Sequence, residues 1–142
     1  MTLTLDAAQT IVATALSTAR ARLAKPVAVI VLDAGGHPVA FAREDGASLF
    51  RHDIARAKAT GALGMGDDTR VLAERVKGNP AFFQGVAVTV GGQIAFSPGG
   101  VLLRSDGAII GAVGISGDTG DVDEICAIAG IAAAGLNTEA RP

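Results

Sequence analysis

Tryptophan and tyrosine are absent from this 142-residue chain, whose only aromatic rings besides its two histidines are five phenylalanines. Few platforms are left on which bases or sugars could stack, which argues against nucleic-acid recognition. A single cysteine, Cys126, excludes an internal disulfide and fits a reducing cytoplasm. No apolar run reaches the roughly 18 residues of a membrane span, because glycine or charge interrupts each one. The opening Met-Thr-Leu-Thr-Leu-Asp has no basic region and no signal-type apolar core, so nothing marks it for export. Charge is also sparse, with 12 basic and 14 acidic residues giving a net −2. That balance gives no reason to expect a nucleic acid or an anionic membrane as partner.

What the chain has in quantity is apolar surface and glycine. Hydrophobic residues make up 49% of it, there are 19 glycines, and mean hydropathy is +0.43. The length suits one domain over residues 1–142 with a sizeable core. Surplus apolar surface on a small domain is most simply hidden between copies, so a homo-oligomer is expected.

The organising stretch is Ser97 to Gly117. Pro98-Gly99-Gly100 reads as a tight turn and Ser105-Asp106-Gly107 as a hairpin. Residues 108–115 form an apolar run bounded by glycine, which reads as a buried strand. Gly111, Gly114 and Gly117 mark places where another backbone, a subunit or a ligand comes close. Upstream, Thr4 is a candidate N-cap for a helix to about residue 23, ended by Pro26. A doubly buried strand over 27–32 turns through 33–38 into a second strand over 39–42. A polar loop then leads to a helix over 49–63 and a short one over 68–76. Strands are expected over 86–90 and 93–96, from their β-branched and apolar residues. The last helix spans 121–136, with Asp121 and Glu124 resembling a capping box and Gly130 suggesting close packing. The expected fold is α+β, a mostly antiparallel sheet of about five strands covered by helices, in the order α-β-β-α-α-β-β-β-α.

Several motifs fail on spacing. Gly111, Gly114 and Gly117 do not have the dinucleotide spacing, and Gly114-Ile115-Ser116-Gly117 is not a nucleophile elbow. Asp118-Thr119-Gly120 precedes a capped helix rather than the β-rich surround of an aspartic dyad. The acids from Asp118 to Glu124 lack calcium-loop spacing, and no metal site is expected. His37 reads as a solvated turn residue and Cys126 as packing. His52, between Arg51 and Asp53, reads either as an exposed helix residue or as a proton carrier or metal or haem ligand. Lys58 borders the apolar stripe of its helix, and Arg104 follows the Gly99-Gly100 turn. With Arg43 and Asp45 they form a candidate site for a small anion.

Four segments carry a resemblance to the GlcG/HbpS (DUF336, haem-binding-protein-like) family, related to the C-terminal domain of some corrinoid adenosyltransferases. They are Val29-Ile30-Val31-Leu32-Asp33-Ala34-Gly35-Gly36, Phe41-Ala42-Arg43-Glu44-Asp45-Gly46-Ala47, Ile54-Ala55-Arg56-Ala57-Lys58-Ala59, and Gly99 to Arg104 continuing through Gly111 to Gly117. The resemblance implies the same α+β order and dimers that assemble into octamers. It also implies either haem binding, a companion role in glycolate or diol catabolism, or a lyase similar to one acting on hydroxylaminobenzoate. Leu102 stands where a proline is usual, and the first helix has no histidine where some relatives place a haem ligand.

The reading that follows is a cytoplasmic, oligomeric catabolic protein that binds a small anionic, aromatic or hydroxy acid. Arg43, Asp45, Lys58, Gly99, Gly100 and Arg104 are its expected contacts. If catalytic, it is a lyase or isomerase needing no cofactor, with His52 carrying the proton. The alternative is a protein for haem or another tetrapyrrole, with His52 or Cys126 as axial ligand.

Overall fold

The computed structural model describes residues 2–138. The elements are α1 (Leu5–Ala21), β1 (Ala28–Asp33), β2 (Pro38–Arg43), α2 (Arg51–Met65), α3 (Thr69–Gly78), α4 (Pro80–Thr89), β3 (Gly100–Ser105), β4 (Ala108–Ser116) and α5 (Gly120–Ala133). Four strands form one antiparallel sheet in the order β2-β1-β4-β3. The α+β class and the order of elements stand except at the sixth, where helix α4 takes the place of a strand and leaves four strands in place of five.

Period-two alternation divides the core between the two faces of the sheet. Val27, Val29, Val31, Val101, Leu103, Val113 and Ile115 point toward α1 and α5. Ala28, Ile30, Leu32, Leu102 and Ala112 point toward α2, which answers with Ala55, Ala59 and Ala62. The alanine face brings α2 so near the sheet that a Cβ on Gly114 would run into the Ala55 carbonyl. On the other face Gly130 lets α5 approach α1, where a Cβ would lie 2.6 Å from the Ile11 carbonyl oxygen.

Two strand expectations are corrected. Residues 80–89 are helical and 93–96 have no regular structure. Pro80 occupies the first helical turn, where its missing N–H costs nothing. Phe83, Val86 and Ala87 turn inward at i, i+3 and i+4, so helical period overrides the alternating valines. The cap of α5 is Thr119, whose Oγ1 accepts from Val122 N, while Asp121 and Glu124 instead receive Arg70. The Thr4 cap is as expected, its side chain accepting from Ala7 N.

The free side of β3 is closed by side chains and one strand-like contact. Gly100 N donates to Thr69 Oγ1 at 2.8 Å, Leu102 N to Asp68 Oδ1 at 2.9 Å and Arg104 N to Asn137 O at 2.8 Å. Burial pushes the Asp68 carboxyl up, and the Leu102 N–H and the nearby Arg104 charge pull it back. Gly114→Ala is expected to cost about 1–3 kcal/mol by levering α2 off the sheet. A melting temperature equal to that of the parent would contradict this close approach.

Candidate functional site

Lys58 lies on α2 with its side chain 3% exposed, and its Nζ donates to Asp123 Oδ2 at 3.0 Å and to Ile115 O at 2.8 Å. Asp123, 1% exposed, comes from α5 on the opposite face and also accepts from Asp118 N. The pair therefore closes around the end of β4 and joins the two helical layers. Burial pushes the ammonium down and the carboxyl up, each held back by the charge of the other.

The Pro98-Gly99-Gly100 turn does meet α2 at Lys58. A Cβ on Gly99 would stand 2.9 Å from Lys58 Nζ, and one on Gly100 would collide with the Lys58 carbonyl. This contact is filled by protein, and the ammonium faces Asp123 rather than a guest.

Arg104 lies on β3, at the opposite edge of the sheet from β2. Its Nε is buried without a hydrogen-bond partner, and its charge is felt by Asp68. Three strand spacings, roughly 14 Å, separate the two edge strands. The structure thus does not gather Arg104, Lys58 and His52 around one hollow. It does bring Arg43 and Asp45 together, in an open cavity of about 480 Å³ shared with Arg20, Pro26 and Glu44. Within it Arg20 Nε lies 2.8 Å from Glu44 Oε2, and Arg43 donates to Ala47 O.

His52 occupies the first turn of α2 and packs edge-on against Phe41 of β2, with ring centroids 4.8 Å apart at 84°. Its side chain is 41% exposed, and Nδ1 lies 3.5 Å from Asp53 Oδ1, which leaves Nε2 as the nitrogen facing outward chemistry. Leu49 and Phe50, just before α2, are 74% and 66% exposed. Arg43 shares the α2-facing side of β2 with Phe41, two residues away. It registers through Ala28 with Ser116, whose hydroxyl accepts from Arg51. An imidazole, a phenyl ring, exposed apolar groups and two guanidiniums therefore occupy one end of the α2 face.

The other soft or basic ligands are placed differently. Cys126 is fully buried between α1, α5 and the sheet, and burial raises its thiol, so it has no outward path. The His37 side chain is 80% exposed in the β1–β2 turn beside Asp33. Among the described residues no group of three or more His, Cys, Asp or Glu is placed to hold a metal ion. Nor is any described helix long and apolar enough to cross a membrane. Phe41 was missed by reasoning from sequence, although an aromatic on an alternating edge strand is a usable signal. Asp123 was read only as part of an acidic helix start.

The four-stranded antiparallel sheet with helices on both faces defines a layered α+β domain. The model for the family described as haem degrading protein HbpS-like matches residues 3–132, and the chain belongs to that family. The resemblance read from the four segments is borne out. Corrinoid adenosyltransferase PduO of Salmonella typhimurium is 34% identical over 116 residues, 82% of this chain and 34% of PduO. The chain thus spans about a third of that relative's length. The solved PduOC:haem complex superposes with a TM-score of 0.90 at 29% identity, covering 98% of this chain and 99% of that one. The structure of HbpS gives 0.80 at 30% identity, covering 93% and 89%.

Two predictions arise from the Lys58–Asp123 region. Lys58→Met leaves a buried carboxylate unpaired and is expected to cost about 3–5 kcal/mol, most of it recovered in Lys58→Met/Asp123→Leu. Urea unfolding of the double-mutant cycle measures this, and additive losses would refute the coupling. Asp118 accepts from Lys25 N and Thr119 N, and these bonds hold its carboxyl below the ordinary 3.8. Its contribution to stability is present above that value and is lost as pH falls through the lowered folded value. Asp118→Asn should therefore flatten the acid limb of a melting-temperature profile from about pH 5 downward, leaving the slope near neutrality unchanged.

Proposed function

We propose that this protein binds haem, or a closely similar tetrapyrrole, at the Phe41–His52 end of α2. The observation that carries the reading is a half-exposed imidazole clamped edge-on by Phe41, with Leu49 and Phe50 exposed beside it. Relatives whose names refer to haem support it.

Donor chemistry fits the group. His52 Nε2 would be the nitrogen that holds the iron, and Asp53 beside Nδ1 favours that tautomer. Phe41, Leu49 and Phe50 offer apolar surface to a flat macrocycle, while Arg43 and Arg51 are cations suited to its carboxylates. Bound haem would supply an iron centre for redox or oxygen chemistry. The chain's own part is to hold the macrocycle, fix one imidazole nitrogen and restrict water at the apolar side.

Haemin titration followed in the Soret region tests the reading. A saturable band is expected for the parent and for His37→Ala, with at least a tenfold weaker affinity and an altered band in His52→Ala. An unchanged band and affinity in His52→Ala would overturn the assignment. If no band forms and aromatic or hydroxy acids raise the melting temperature instead, the anionic-acid reading replaces it.

A further inference from the structure

Among the described residues one buried side-chain nitrogen has no hydrogen-bond partner, the Arg104 Nε. The strand that carries it is pinned on its outer side. Arg104 N donates to Asn137 O at 2.8 Å, and Asn137 N donates to Arg104 O at 3.1 Å. Removing an N–H from water without an acceptor costs stability, and more so when the group is charged. An unsatisfied buried donor of this kind calls for an acceptor from outside the fold. Arg104 as a whole is only partly buried, so such an acceptor can reach it from solvent.

The carboxylates around it stop short of supplying one. Asp68 is near enough to feel the Arg104 charge, yet the two are not in ion-pair contact. Its Oδ1 is taken by Leu102 N at 2.9 Å, which leaves Oδ2 for a further donor. Asp67 and Glu124, whose charges also reach Asp68, are held by Arg75 and Arg70.

We propose that Arg104 and Asp68 form a second binding site, at the β3 border, for a small monocarboxylate with a hydroxyl beside its carboxylate. The carboxylate lies side-on against Nε and the neighbouring Nη, and the hydroxyl donates to Asp68 Oδ2. A guanidinium fork matches two carboxylate oxygens at once, which a lysine ammonium does not. One cation facing Asp68, with Asp67 and Glu124 close by, balances a single negative charge, so sulfate and phosphate dianions are disfavoured. The pinned strand presents the fork already in place, so little ordering is needed on binding. The site lies on the opposite border of the sheet from Phe41 and His52 and does not rest on haem binding.

A proton–nitrogen correlation spectrum of the isotope-labelled full chain reads the site directly in its arginine Nε–H region. The Arg104 peak is the one lost in Arg104→Lys. Lactate is expected to move that peak saturably, propionate to bind at least about threefold more weakly, and sulfate at equal ionic strength to leave it in place. Arg104→Met removes the unpaired N–H and keeps an apolar stem, so it should melt no lower than the parent. It should also lose the thermal stabilisation that lactate gives the parent. His52→Ala should keep the lactate response in full, which separates this site from the haem site. A peak that lactate does not move would mean that water alone completes Nε, and would overturn the proposal. So would sulfate or propionate acting as strongly as lactate, a lactate response retained in Arg104→Met, or one lost in His52→Ala. Should Arg104→Met fail to fold, the titration of the parent peak and a lactate affinity at least tenfold lower in Arg104→Lys decide.

Discussion

An ammonium removed from water needs its carboxylate, and the contact between Lys58 and Asp123 sets the terms for the rest of this structure. One partner belongs to the layer above the sheet and the other to the layer below. Their meeting at the Ile115 carbonyl fixes where β4 ends and how α5 starts. Hydrophobic packing could tolerate sliding of either layer, whereas a buried ion pair tolerates very little. The glycines opposite Lys58 follow from the same constraint, since a side chain at Gly99 or Gly100 would occupy the space of the helix carrying it.

Most of the architecture was legible in the sequence because it rests on local period and punctuation. The β1 run, buried on both faces, the Thr4 cap and the Asp106-Gly107 turn each signal their structure within a few residues. Gly130 also announced its close contact through its cost in a helix. Residues 80–96 were misread because alternating valines mimic a strand, and the choice between states turned on Pro80 and on Phe83 finding a neighbour. That neighbour is not a local property.

The site was less legible for the same reason. Arg43 and Asp45 share a cavity, as their closeness in sequence suggested, and the diglycine turn does reach Lys58. The destination of Lys58 was hidden, because Asp123 is 65 residues away and its acid reads equally well as a helix-start residue. Arg104 was grouped with Lys58 by motif, but the sheet order sets it at the far edge from His52. Phe41 gained meaning only when β2 was laid beside the first turn of α2.

The outward amides of β3 have a wider consequence. With Gly100, Leu102 and Arg104 all engaged by Thr69, Asp68 and Asn137, this border offers an incoming strand no ladder to extend. Fibril-like stacking and strand exchange are blocked along this margin. Any edge-to-edge pairing of this sheet is left to β2, the border strand at its other side.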